Sequence, residues 1–411
     1  MERLRIAAWH NLPSGGGKRQ LYNHVRGLIG RGHYVESWCP DTADQKYLPL
    51  GEIITENIVP LGAKKGYYFD AFKSFQRVRQ LINVLEAHCQ VCAEQISKRD
   101  FDVLYANACL FLRTTSIGKY VNLPSAIYLN EPYRWFYEAL PDLPWVAAGR
   151  PALSLRSIKD CLRNRLMLGG MRLQAKVERD YARSFDWILV NSLYSRESIL
   201  RAYSLEPKVC YLGIDTDFYH PSGERKENYV VGVGTIYYGK GVDRAIRAVA
   251  TIRKERRPDL VWVGNGASAY DLQQFNRLAQ ERQVNFFPKL NVSDGEVVSL
   301  LSRASAMIYT SRLEPFGMAP LEANACGTAV VAIAEGGVRE SIRDGINGFL
   351  VHEDDPQMLG ECLSKIIESP ALALTMGTQA REYVIAHWNM EQCTNNIESM
   401  LVNLLRSAKQ H

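Results

Sequence analysis

The chain has 411 residues, of which 46% are hydrophobic and 23% charged, with a formal net charge of +5. That length is too great for one ordinary core and suits two domains of roughly 150–200 residues each. The mild charge gives no global argument for a nucleic-acid partner, and no apolar stretch is long enough for a signal peptide or a membrane span.

In chain order, the first half offers apolar strand candidates at Leu4–Trp9, Tyr34–Cys39, Phe101–Ala106, Ala126–Leu129, Trp187–Asn191 and Val209–Leu212. The second half offers Tyr229–Val233, Leu260–Val263, Val284–Phe287, Ala306–Tyr309, Ala329–Ile333 and Gly348–Val351. Amphipathic segments lie between them, at Gln20–Arg31, Arg196–Tyr203, Asp243–Glu255, Tyr270–Glu281 and Asp294–Ser302. Continuous apolar runs alternating with helices predict parallel sheets covered on both faces. Two such blocks predict an α/β protein of two doubly wound, Rossmann-like domains, 1–212 and 213–387, facing each other across a ligand cleft. Periodicity is lost near Gly213–Arg225, which marks the hinge. The stretch His387–Ser407 reads as a long amphipathic helix, so 388–411 is expected to pack back on the first domain.

The nine cysteines are odd in number and scattered, which argues against a disulfide framework and for a reducing cytosol. Cys89 and Cys92 form a lone C-x-x-C inside the helical run Arg77–Ile96, and they read as buried, inert thiols rather than zinc ligands.

Three segments can meet a ligand. "HNLPSGGGKRQLYNHVRGL" follows the first strand, and its glycines let backbone amides approach an anion at a helix start. It matches neither a Walker A loop nor a dinucleotide fingerprint. A flexible turn is the alternative to a ligand loop through Gly16 and Gly17. "VGVGTIYYGKGVDRAI" places Lys240 between two glycines ahead of a helix, where it suits either a diphosphate or solvent. Asp215 and Asp217 in "GIDTDF" read as turn aspartates, and no metal role is expected for them. Finally, "TSRLEPFGMAPLEANACGTAVVAIAEGG" sets Glu314 on a loop and Glu322 in the second turn of a short helix. Carboxylates accept from paired hydroxyls, while the helix-start amides of Phe316, Gly317 and Met318 suit phosphate oxygens. A dipole-favoured acid plus a surface helix glutamate would give the same spacing.

The E-x7-E stretch with Phe-Gly after its first glutamate resembles the retaining, nucleotide-sugar-dependent glycosyltransferases of family 4, which have the two-domain GT-B architecture. "VNSLYSRESI", "CYLGIDTDFY" and "GGVRESIRDGINGFLV" extend the resemblance along essentially the whole chain. It implies that Glu314 contacts the donor sugar, Glu322 the ribose, and Lys240 the diphosphate as it leaves. It implies that Phe316, Gly317 and Met318 offer amides to sugar hydroxyls or phosphate. Gly16 and Gly17 would close over the sugar phosphate, and the base would lie near Lys289–Val292, around Leu290. Two positions depart from the pattern. Thr235 stands where an arginine usually shares the diphosphate, and Asn130 in "YLNEPYR" stands where the mannosyltransferase branch carries a histidine.

Between Arg150 and Arg183 nine basic residues face three acidic ones, with leucines interleaved. Such a segment reads either as a solvated helix or as peripheral contact with an anionic membrane at its inner face. The resulting expectation is a cytoplasmic hexosyltransferase that uses a GDP- or UDP-linked donor and a saccharide or lipid-linked acceptor, with no metal and no nucleic acid. A GT-B epimerase and a non-catalytic GT-B binding subunit are the alternatives.

Overall fold

The computed structural model describes residues 3–62, 75–138 and 155–410. The chain divides into two compact units, one of Met1–Asn191, Ser195–Tyr211 and Thr394–His411, the other of Ser192–Tyr194 and Leu212–Cys393.

The first unit holds strands β1 (Arg5–Asn11), β2 (Tyr34–Cys39), β3 (Thr55–Ile58), β4 (Val103–Cys109), β5 (Ser125–Tyr128), β6 (Trp187–Val190) and β7 (Lys208–Val209). All pairs are parallel, in the order β3-β2-β1-β4-β5-β6-β7. Its helices are α1 (Gly16–Gly30), α2 (Phe75–Ser97), α3 (Arg134–Tyr137), α4 (Leu155–Ala182) and most of α5 (Leu193–Tyr203). The second unit holds β8 (Glu227–Val233), β9 (Asp259–Gly264), β10 (Phe286–Leu290), β11 (Ala304–Tyr309), β12 (Val330–Ile333) and β13 (Gly348–Val351). These are again all parallel, in the order β10-β9-β8-β11-β12-β13. The remaining helices are α6 (Val242–Thr251), α7 (Ala269–Glu281), α8 (Asp294–Arg303), α9 (Met318–Ala325), α10 (Val338–Ser341), α11 (Pro356–Ile367), α12 (Pro370–His387) and α13 (Met390–Ala408).

Continuous apolar strands form because both faces of each sheet are buried. Ile6, Ala7, Ala8 and Trp9 of β1 are all inaccessible, as are Val330, Val331, Ala332 and Ile333 of β12. Each unit has its own core, around Trp9, Trp38 and Leu104 in the first and around Val230, Ile308 and Val331 in the second. In both sheets the strand order reverses beside the first strand, between β1 and β4 and between β8 and β11. Those are the switch points whose carboxyl ends receive ligands.

Sequence periodicity misplaces some elements. β3 reads "TENI", with a mixture of polar residues that suits its position at the sheet edge, so it offers no apolar run. The segment at Val209–Leu212 contributes only Lys208–Val209 to the sheet. The expected helix at Asp243–Glu255 stops at Thr251, where Ile252 turns extended. The expected terminal helix at His387–Ser407 is α13, which runs from Met390 to Ala408. Cys89 and Cys92 are buried, and burial pushes the Cys89 thiol up to about 11. Of the basic stretch, residues 150–154 lie outside the described residues, and most of the rest falls on α4.

From Thr394 onward α13 belongs to the first unit. It buries Ile397, Leu401 and Leu404 at helical spacing, and Thr394 sits against α1. A Cβ on Gly27 would lie 2.2 Å from Thr394 Oγ1, so this crossing needs a residue without a side chain. Glu398 secures the next turn by accepting from Arg31 and from His33 Nε2, the latter at 2.9 Å. His33 Nδ1 accepts the Leu4 N–H at 3.0 Å, which fixes the ring's orientation. Burial would raise the Glu398 carboxyl, but the hydrogen bonds from His33 and Arg31 outweigh it and hold the group below the ordinary glutamate range.

Two outcomes are expected. Gly27→Leu should destabilise the protein by about 1–3 kcal/mol through overpacking, read as a lowered Tm. Glu398 titrates lower folded than unfolded, so its contribution is complete above the ordinary glutamate range and disappears as pH falls through the lowered value. The Tm difference between the parent and Glu398→Gln should therefore close on acidification. A difference that stays constant from neutral to acid pH contradicts this.

Candidate active site

The second unit's switch point gathers most of the expected donor residues. Lys240 follows β8 on a short turn, and Glu314 follows β11, its neighbour in the sheet. Lys240 Nζ donates to Glu314 Oε2 at 2.7 Å, and Ser311 Oγ donates to the same oxygen at 2.7 Å. Both charged side chains remain about one-fifth exposed, at 22% and 20%. The sequence assigned these two residues to different parts of a substrate. In the structure they neutralise each other.

Backbone contact makes that pairing possible. Gly241 has φ 74°, and a Cβ there would lie 2.2 Å from the Thr310 carbonyl oxygen. Thr310 Oγ1 in turn donates to the Gly241 carbonyl at 2.8 Å. On the other side, Gly336 has φ 65°, and a Cβ on it would stand 2.3 Å from the Glu314 carbonyl oxygen. The Gly337 N–H donates to that oxygen at 2.8 Å. The loop bearing Glu314 is thus held between two segments whose left-handed backbone and close approach exclude larger residues. An ionic set adds to this. Arg312 donates to Glu335 and, at 2.9 Å, to Asp354, which also accepts from Arg244 at 2.7 Å. The hydrogen bond that Arg312 donates to Glu335, together with Asp354, raises the Arg312 guanidinium further.

α9 starts two residues after Phe316, with Gly317 as its N-cap at φ 86° and no side chain capping it. Its first-turn amides and dipole therefore favour an anion, and Pro320 removes one donor from that turn. Phe316 contributes backbone only, because its side chain is buried and packs at 5.3 Å from the Trp388 ring. Glu322 is only 4% exposed. That figure removes the reading of a solvated helix glutamate and leaves a carboxylate set into the protein. Leu290 ends the edge strand β10 and is exposed. Thr235 is an exposed turn residue whose carbonyl accepts from Tyr237 N–H at 3.0 Å. Asp215 accepts from the Phe218 N–H at 3.2 Å, the turn geometry expected of it.

Gly16, Gly17 and Asn130 belong to the first unit. A Cβ on Gly17 would come 3.6 Å from Asn130 Nδ2, so the glycine loop and this asparagine are neighbours. Asn130 Oδ1 accepts from Asn191 Nδ2 at 3.0 Å, and its amide nitrogen is turned toward Gly17. Asn130 offers a donor there, where a hydroxyl oxygen could accept. Ser311, Gly336 and the Arg312 set were not singled out from the sequence.

The two parallel, doubly wound units have the GT-B fold of solved glycosyltransferases. Residues 215–383 match the model of the family described as glycosyl transferases group 1, and the chain is a glycosyltransferase. It is 28% identical over 320 residues to the alpha-maltose-1-phosphate synthase of Mycobacterium tuberculosis, covering 69% of this chain and 81% of that protein. It is 27% identical over 284 residues to the D-inositol 3-phosphate glycosyltransferase of Corynebacterium aurimucosum, covering 63% and 66%. Among solved structures, sucrose-phosphate synthase of Thermosynechococcus elongatus superposes with TM-score 0.71 at 19% identity, over 98% of this chain and all of that one. Anabaena HepE, solved with UDP and glucose, gives 0.68 at 20% identity over 97% of this chain and 100% of its own. Among the described residues no helix is long and apolar enough to cross a membrane.

Gly241→Ala should cost about 1–3 kcal/mol from the left-handed backbone alone, and the Thr310 clash should displace Lys240. Calorimetry should show nucleoside diphosphate binding lost at temperatures where circular dichroism still reports a folded chain. Unchanged affinity would show that this turn does not position Lys240.

Proposed function

We propose that the chain transfers a hexosyl unit from a nucleotide diphosphate sugar to a saccharide or lipid-linked acceptor, with retention of configuration and without a metal. The Lys240–Glu314 pair at the switch point of the second sheet carries this reading. In it Lys240 and the amides at Gly317 and Met318 neutralise the departing diphosphate, doing electrostatically what a metal does elsewhere. Glu314 accepts from hydroxyls of the transferred sugar, Glu322 from the ribose, and Leu290 lies against the base. Gly16, Gly17 and Asn130 serve the sugar and acceptor side. Retention follows from attack on the face the diphosphate leaves, with a diphosphate oxygen taking the acceptor's proton. HepE's UDP and glucose support a nucleotide-sugar donor. The phosphorylated compounds in the names of the two curated relatives support a polar, anionic acceptor class. The basic stretch on α4 extends that class to lipid-linked phosphates at an anionic membrane surface.

The ion pair sharpens the test. A bare nucleoside diphosphate must take Lys240 from Glu314 and gives the carboxylate nothing in return, whereas a full donor supplies hydroxyls. Glu314→Ala should therefore bind the bare nucleotide more tightly than the parent while single-turnover transfer collapses. Lys240→Ala should weaken nucleotide and donor alike. Glu322→Ala should do the same by about ten- to hundredfold, the equivalent of roughly 1.5–3 kcal/mol. Calorimetry with GDP and UDP in a chelator reads binding, and a transfer assay with and without acceptor reads turnover. If Glu314→Ala binds the bare nucleotide as poorly as Glu322→Ala does, the assignment of roles is wrong. Binding that vanishes in chelator removes metal independence.

A further inference from the structure

One cluster of buried side chains lies outside the proposed donor chemistry. His10 is the penultimate residue of β1, Cys39 ends β2, and Glu56 lies in β3, so three neighbouring strands of the first unit each contribute one group. Trp9 stands opposite Trp38, and Ser37 opposite Glu56, which brings the three side chains to one corner of the sheet. His10 Nε2 is 2.9 Å from Glu56 Oε1, and Cys39 Sγ contacts the same oxygen at 3.6 Å. One ligand-type atom from each residue lies within 4.8 Å of the other two, the one such group among the described residues. His10 and Cys39 are inaccessible, and the Glu56 side chain is 3% exposed.

An imidazole, a thiol and a carboxylate buried together need a compensating interaction. Hydrogen bonds inside the cluster supply only part of it. His10 Nδ1 has no hydrogen-bond partner among the described residues, and neither does the neighbouring buried Lys18 Nζ. The spacing suits a small ion. Metal–ligand distances of about 2.0–2.3 Å in tetrahedral zinc sites place ligand atoms roughly 3.2–3.8 Å apart, close to the contacts already made. A nitrogen, a sulfur and an oxygen together select zinc over magnesium or calcium. Gln45 Nε2 donates to Cys39 Sγ at 3.4 Å, the kind of outer contact that supports a bound thiolate.

We infer that His10, Cys39 and Glu56 form a zinc site that ties the ends of β1 and β2 to the edge strand β3. The ion takes the place of the Cys39 thiol proton, which leaves to solvent, while His10 binds through a neutral nitrogen and Glu56 as carboxylate. The site is structural, and none of its three residues is among those assigned to the nucleotide sugar. The Lys18 ammonium opposes the bound dication, and removing it strengthens the site.

The test uses the full chain, stripped with chelator and titrated with Co²⁺, then with Zn²⁺. One equivalent of cobalt should give the near-ultraviolet thiolate-to-cobalt band, and zinc should displace it. Cys39→Ser should abolish the band. His10→Asn and Glu56→Gln, which keep the thiol, should weaken zinc binding at least tenfold, and Lys18→Met should tighten it. The thermal midpoint of the parent should rise with zinc. The inference fails if no saturable band forms, if the band survives in Cys39→Ser, or if Lys18→Met binds zinc no more tightly.

Discussion

The second unit depends on one close approach between backbones. β8 and β11 are sheet neighbours, but their following loops could diverge. Gly241 against the Thr310 carbonyl keeps them together, and only then can the Lys240 ammonium reach the Glu314 carboxylate. Other features follow from that contact. Ser311 completes the environment of Glu314 Oε2, Gly336 backs the loop from β12, and Gly317 turns the chain into α9 with its amides forward. Beneath α9, Asn324 and Asn347 hold its far end. Asn324 Nδ2 donates to the Thr328 and Asn347 carbonyls, and Asn347 Nδ2 donates back to Asn324 Oδ1. The helix start is thus fixed from both ends before any substrate arrives, which is what preorganised electrostatic stabilisation requires.

Much of this was legible in the residues, for definable reasons. Strands buried on both faces appear as largely apolar runs, so Gly348–Val351 is read correctly to the residue, and so is Tyr34–Cys39 although Glu36 and Ser37 interrupt it. The glutamate spacing marks a loop followed by a helix, and it places Glu322 in the second turn. What failed depends on partners distant in sequence. β3 is a strand because Glu36, Ser37, Trp38 and Cys39 pair with it, not because "TENI" favours one. The burial of Glu322 is a tertiary fact, as is the union of Arg312 with Glu335, Asp354 and Arg244. No local pattern reveals that a cation and an acid 74 residues apart neutralise each other.

The first unit shows the same limit in its polar interior. α1 looks amphipathic in sequence, yet the face it buries includes Lys18, Gln20 and His24 alongside Leu21, Val25 and Leu28. Gln20 Nε2 meets Tyr105 Oη at 3.0 Å, and His24 Nδ1 lies 2.7 Å from the same hydroxyl. Burial lowers His24 to about 3, so it is a neutral hydrogen-bonding group rather than a titrating one at neutral pH. A hydrophobic-periodicity argument counts such positions as solvent-facing. Tyr105 on β4 partners Gln20 Nε2 and His24 Nδ1, whereas Lys18 Nζ has no hydrogen-bond partner among the described residues.

The return of Thr394–His411 to the first unit has a consequence for the order of events at the ribosome. The second unit is complete in sequence once Cys393 has emerged, and it can close around its own core. The amino-terminal unit, though synthesised first, must wait for α13 before α1 acquires Thr394 and Glu398 as neighbours. Until then Gly27, Arg31 and His33 lack these partners in the nascent protein. Vectorial synthesis therefore completes the earlier-made unit only after the later-made one. A chain released short of Thr394 keeps the whole second sheet but leaves the first unit without its part of α13.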